Sequence, residues 1–129
     1  MKQYKRVIIV DDDFANNLIC EKVLLGYNLT ESIRSFLTIQ EGLDYLNQVK
    51  ESEEYPDLIL LDINFPLEDG WDFLDEFKRI NILAQKPTEL YMLTSSISSR
   101  DIEKSQNHPN VKGFISKPLN KEKLDKYFS

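Results

Sequence analysis

Short apolar runs alternate along this chain with stretches in which apolar residues recur every three or four positions. Val7-Ile8-Ile9-Val10 is the first run; Leu58-Ile59-Leu60-Leu61, Leu90-Tyr91-Met92-Leu93 and Gly113-Phe114-Ile115 follow. Runs of this kind, bounded by turn or acidic residues, read as strands buried on both faces of a parallel sheet. Residues 32–37 are more polar and suit an edge strand. The intervening segments have helical spacing. Ala15, Leu18, Ile19 and Val23 form one stripe, Ile39, Leu43, Leu46 and Val49 a second, and Phe73 or Leu74 with Phe77 and Ile80 a third. Leu124, Tyr127 and Phe128 mark a last helix, with Asn120 placed to cap it. A fourth helix near residues 99–106 has only Ile102 as an apolar anchor, which makes it the weakest of the set.

The pattern is five repeats of strand then helix. Parallel crossovers are right-handed almost without exception, so an α/β doubly wound sheet is the natural solution. The 129 residues suffice for one domain with one core and leave no room for two. In open sheets of this kind, sites form at the carboxyl ends of the strands. The residues just after each apolar run therefore matter most.

Those positions carry Asp11, Asp12 and Asp13 after the first run, and Asp62, Ile63, Asn64, Phe65 and Pro66 after the third strand. Thr94, Ser95 and Ser96 follow the fourth strand; Ser116, Lys117 and Pro118 follow the fifth. Each has an ordinary structural explanation when taken alone: an Asp or Thr after a strand can cap a helix, and a Lys can be a surface charge. Together they bring carboxylates, a hydroxyl and an ammonium to one edge of one sheet. Crowded carboxylates repel, and a divalent cation relieves the repulsion. Hard oxygen ligands without a His or Cys cluster favour magnesium, or manganese, over zinc. The expected ligands are Asp11, Asp12, Asp62 and the backbone carbonyl of Asn64. A carboxylate can attack phosphorus to give an aspartyl phosphate. Lys117 supplies a point charge for the transferring group, and the Thr94 hydroxyl can donate to a phosphoryl oxygen.

At these residues the chain resembles the response-regulator receiver family, of which the chemotaxis regulator is a small, single-domain member. The resemblance rests on Val7-Ile8-Ile9-Val10-Asp11-Asp12-Asp13, on Leu60-Leu61-Asp62-Ile63-Asn64-Phe65-Pro66-Leu67-Glu68-Asp69-Gly70, on Met92-Leu93-Thr94-Ser95-Ser96, and on Gly113-Phe114-Ile115-Ser116-Lys117-Pro118. It extends from about Lys5 to Phe128, so that 1–129 is expected to be one receiver domain with no effector domain attached. It implies a flavodoxin-like five-stranded parallel sheet in the order 2-1-3-4-5 with five helices. By resemblance, Asp11 and Asp12 hold the metal and Asp62 is the phosphoacceptor. Thr94 and Phe114 are the switch pair, Lys117 binds the phosphoryl group, and Lys117-Pro118 is a cis peptide. Gly70 is expected to supply an unusual backbone angle in the turn after the acceptor loop. Two departures stand out: Phe65 where the family commonly has Met, and Glu68 where it has a small or apolar residue.

The implied function is acceptance of a phosphoryl group from a sensor histidine kinase or histidine phosphotransfer protein. This would be a signalling domain and not an enzyme. The surface of the fourth helix, fifth strand and fifth helix would change on phosphorylation and bind a downstream protein or a second copy. Two other readings compete. A haloacid-dehalogenase-like phosphatase would use Asp11 as nucleophile, but the chain offers only Glu122 and Asp125 beyond Lys117 and leaves the Asp62 motif unexplained. A receiver-like interaction module that is never phosphorylated is the other, although every chemical position is filled.

Charge and composition narrow the partners. Sixteen basic residues against 22 acidic give a formal charge of −6, which argues against direct nucleic-acid binding. Lys112, Lys117, Lys121, Lys123 and Lys126 read mainly as a solvated face, interrupted by Glu122 and Asp125. Single Cys20 lies among apolar residues and reads as core filler, and no apolar run approaches membrane-spanning length, so a cytoplasmic protein without membrane attachment is expected. Trp71 reads as helix packing, and His108 in its turn-rich loop as a bystander to any metal.

Overall fold

Each apolar run becomes a strand in the computed structural model, which describes residues 2–66, 69–84, 86–95 and 97–129. The strands are β1 (Val7–Val10), β2 (Ile33–Phe36), β3 (Leu58–Asp62), β4 (Glu89–Thr94) and β5 (Val111–Ser116). They form one sheet in the order β2-β1-β3-β4-β5, every neighbouring pair parallel. The helices α1 (Phe14–Gly26), α2 (Ile39–Val49), α3 (Gly70–Ala84), α4 (Ser99–Ser105) and α5 (Lys121–Phe128) make the crossovers. Among the described residues no helix is long and apolar enough to cross a membrane.

Alternation along the strands divides the core in two. Ile8, Val10, Ile59, Leu61, Leu90 and Met92 pack with α2 and α3 on one face. Val7, Ile9, Leu58, Leu60, Tyr91 and Leu93 pack with α1 and α5 on the other. Both faces of β3 are therefore buried, as its unbroken apolar run requires. Cys20 is fully buried on the second side, where desolvation pushes its thiol up to about 12.

The α2, α3 and α5 stripes face the core, with Ile39, Leu43, Leu46, Val49, Phe73, Leu74, Phe77, Ile80, Leu124 and Phe128 all buried. The α1 stripe does not. Ala15 is exposed and Leu18 and Ile19 are 43% and 45% exposed, whereas Asn16, Asn17, Cys20 and Leu24 are buried. The helix is rotated from the register its apolar residues predict, and two asparagines open its inner face. In α4 Ile102 is half-exposed and no residue is buried; a capping box between Ser98 and Asp101 starts this helix.

Gly70 corrects another expectation, because no described glycine has a positive φ. Its hydrogen is required for a different reason. A Cβ there would stand 2.6 Å from the Asp62 carbonyl oxygen and 2.9 Å from the Ile63 Cα. Glycine lets the start of α3 press against the backbone of the strand end that carries Asp62. Gly70→Ala is expected to destabilise the protein by about 1–3 kcal/mol, since backbone atoms must move to admit the methyl group. Urea unfolding checks this, and a stability unchanged from wild type would show that the contact can relax.

Candidate phosphoacceptor site

β1 and β3 are neighbours, so their carboxyl ends present Asp11 and Asp62 side by side. Asp12 follows on the solvent side, and single oxygens of Asp11, Asp12 and Asp62 all lie within 4.8 Å of one another. Asp11 and Asp62 are buried and Asp12 is exposed. The set consists of hard oxygen donors with one open side, which fits magnesium retaining several waters. Asp13 serves the helix instead, because its carboxylate accepts from the Asn16 backbone N–H and caps α1.

Asp11 is held from several directions. Its Oδ1 accepts from the Asp13 N–H at 2.8 Å, and its Oδ2 accepts from Asn16 Nδ2 at 2.9 Å. Lys117 Nζ also reaches Asp11 Oδ2 at 2.8 Å and lies 3.4 Å from Asp62 Oδ2. The ammonium therefore bridges the two buried carboxylates and sits closer to Asp11. Asp62 Oδ1 accepts from the Asn64 N–H at 3.1 Å, which turns the backbone at Asn64 back over the strand end. Asn64 forms an antiparallel bridge with Asp69, and Asp69 in turn accepts from the Trp71 N–H as α3 begins.

Thr94 ends β4 fully buried, and its carbonyl accepts from the Lys117 N–H at 2.8 Å. The hydroxyl residue and the lysine are thus fastened to each other through backbone. The Lys117-Pro118 bond is cis. Phe114 lies half-buried on β5, with its ring edge-on to Trp71 at 6.4 Å between centroids. Trp71 is buried against the first core cluster, and the His108 ring lies 5.3 Å from it, so His108 packs on an aromatic surface. Leu67, Glu68 and Ser96 lie outside the described residues.

Three contributors are not apparent from the sequence pattern. Asn16 and Asn17 hold the Asp11 carboxylate and carbonyl respectively. Lys123, which the pattern assigns to a solvated face, donates to the Ser116 and Pro118 carbonyls at 2.6 and 2.8 Å and so braces both sides of Lys117. Paired amides five and six residues after the first carboxylate are a usable signal, because polar residues on the inner face of a helix need partners. Nothing in the spacing of Lys123 distinguishes it from its neighbours.

The electrostatics follow from the burial. Desolvation raises the Asp62 carboxyl above its ordinary value; the Asn64 N–H opposes this, the Asp11 charge adds to it and Lys117 opposes it, leaving Asp62 pushed up to about 6. Burial alone would lower the Lys117 ammonium, but the hydrogen bond and charge of Asp11, reinforced by Asp62, raise it. A carboxyl raised on folding binds more protons folded than unfolded, so stability falls as pH rises from about 4 to about 6. In the metal-free protein Asp62→Asn is expected to add about 1–3 kcal/mol of stability at pH 7 and little at pH 4. Urea unfolding in a chelator at both pH values checks this; an equal gain at both would remove the charge as its cause.

Comparison with known proteins agrees with this geometry. A model described as the response regulator receiver domain matches residues 7–129. The sensor histidine kinase CheAY of Helicobacter pylori is 29% identical over 92% of this chain, which spans 14% of that protein's length. The chemotaxis protein CheY of Halobacterium salinarum is 26% identical over 91% of this chain and 88% of its own. A crystal structure of a two component response regulator from Cytophaga hutchinsonii superposes with a TM-score of 0.87 at 26% identity, covering 98% of this chain and 96% of that one. These matches do not favour the dehalogenase-like alternative. Since the family model spans all ten elements of the fold and the acidic strand ends at its edge, the chain belongs to the response regulator receiver domain family of two-component signalling.

Proposed function

We propose that Asp62 accepts a phosphoryl group from a phosphohistidine on a sensor kinase or histidine phosphotransfer protein, and that the modification switches the binding of a downstream protein. The observation that carries this reading is that Asp62 shares a carboxylate cluster with Asp11 and Asp12 while also lying within reach of the Lys117 ammonium. An Asp62 oxygen attacks phosphorus, the P–N bond of the donor breaks, and its electron pair returns to the imidazole. Asp11, Asp12, Asp62 and the Asn64 carbonyl would hold magnesium, or manganese, which neutralises charge on the phosphoryl oxygens when bound. Lys117 then exchanges its carboxylate partners for a phosphoryl oxygen, and the Thr94 hydroxyl moves toward the same group. Phe114 follows that movement, shifting a two-state balance. The domain is a signalling element and not an enzyme, and it works in the reducing cytoplasm, consistent with the free, buried Cys20.

Two surfaces support the exchange with partners. Output is assigned to the α4-β5-α5 face, where a downstream protein or a second copy would bind. The support lies in α4, which buries no residue. An element with so little buried contact moves at low cost. Input is assigned to α1. A protein donor must place its histidine against Asp62 and therefore touches the elements around the acidic edge. There α1 exposes Phe14 by 62% and Leu18 by 43%, one turn apart on one side of the helix.

Phosphorylation of wild type by acetyl phosphate with magnesium is expected to add one phosphoryl group, mapped to Asp62 by intact mass and peptide analysis. Asp62→Asn abolishes it; a phosphoryl group then found on Asp11 or Asp13 would overturn the assignment, and a wild type that takes none would favour the unphosphorylated module. Phe14→Ala with Leu18→Ser is expected to slow transfer from a phosphorylated histidine phosphotransfer protein by about tenfold, a loss of roughly 1.4 kcal/mol, while acetyl phosphate labels it at the wild-type rate. Equal slowing with both donors would place the effect at Asp62 and not at a docking surface.

A further inference from the structure

The acidic edge has a support that belongs to neither the carboxylates nor the lysine. Asp11 has no solvent exposure, so its carboxylate depends on donors within the fold. Two of them meet on Oδ2: Asn16 Nδ2 at 2.9 Å and Lys117 Nζ at 2.8 Å. These donors differ in what a divalent cation does to them. Lys117 carries the same sign of charge as the metal and would be repelled from Asp11 by it. A neutral carboxamide would not.

Asn16 is also built to stay. It is 5% exposed, its backbone N–H donates to Asp13 Oδ1 at 3.1 Å, and its Nδ2 lies 3.7 Å from Cys20 Sγ. It occupies a core-facing position of α1 in line with Cys20 and Leu24, where an apolar side chain would serve packing better. Local preference and position disagree here, and such disagreements mark functional sites. Asn17 has a separate role, since its Nδ2 donates to the Asp11 carbonyl and secures backbone.

We infer that Asn16 is a positioning residue for the metal, holding the Asp11 carboxylate in its ligating orientation after Lys117 has left. The inference rests on the reading of Asp11 as a metal ligand. Groups that orient a ligand in this way contribute about 10–100-fold to metal affinity, so the effect belongs on magnesium binding and not on the transfer step.

Asn16→Leu keeps the branched shape with slightly more bulk and removes the donor; Asn16→Ala removes both shape and donor. Magnesium affinity is measured by titration calorimetry, and initial rates of labelling by acetyl phosphate are followed across magnesium concentrations. Both variants are expected to bind magnesium about tenfold more weakly. Their labelling rates should return to within about twofold of wild type once magnesium saturates, the signature of lost ligand binding with the chemical step intact. A folded Asn16→Leu that binds magnesium like wild type would overturn the inference, as would an unchanged magnesium affinity with a lowered maximal rate. Failure of wild type itself to bind magnesium would overturn the metal reading of Asp11, and this inference with it.

Discussion

Like charges brought together at one edge of a sheet set the terms for everything around them. Asp11 and Asp62 are buried within ligand distance of each other, and Asp12 adds a third carboxylate at the mouth. Burial of two such groups is unfavourable unless each negative charge finds donors. Without a metal, Lys117 is the main remedy. Its ammonium crosses from the end of β5 to bridge carboxylates from β1 and β3, strands that do not adjoin β5. The fold thus holds two buried carboxylates side by side and fastens the lysine that bridges them.

That fastening explains several features remote from the carboxylates. Lys117 is anchored through its N–H to the Thr94 carbonyl, so the end of β5 is tied to the end of β4. Lys123 closes the same turn from the α5 side by bonding the carbonyls of Ser116 and Pro118. On the acceptor side, Gly70 permits α3 to start directly against the Asp62 and Ile63 backbone. The loop between them can then be short and still return Asn64 over the carboxylate. Precision at the site comes from backbone contacts at the strand ends, since groups carried on regular elements are held more exactly than groups on loops.

Most of this is legible in the sequence. Apolar runs with no polar member are readable because both faces of β1, β3 and β4 are covered. The carboxyl-edge rule then points to Asp11, Asp12, Asp62, Thr94 and Lys117 without further information. The α1 register is not legible, for a physical reason. The pattern rule assumes that helices bury their apolar side, and α1 buries Asn16 and Asn17 because Asp11 needs their donors. Leu18 and Phe14 are left facing solvent as a result. Gly70 stands out in the sequence, but its purpose does not: a glycine in a turn has two uses, backbone angle and close approach, and only the fold tells them apart. The bracing by Lys123 depends on how α5 docks beside the turn, which no local pattern encodes.

The unexpected register and the crowded edge are therefore one phenomenon seen from two sides. Rotating α1 to bring its amides inward satisfies the buried carboxylate, and the same rotation turns Phe14 and Leu18 outward beside the acidic edge. An apolar patch next to a cluster of negative charge is an unfavourable surface for an isolated molecule and a useful one for a molecule with a partner. In a domain of formal charge −6, it places apolar surface close to a cluster of carboxylates. The support of the buried Asp11 carboxylate and the exposure of Phe14 and Leu18 follow from one choice, the polarity of the first inner turn of α1.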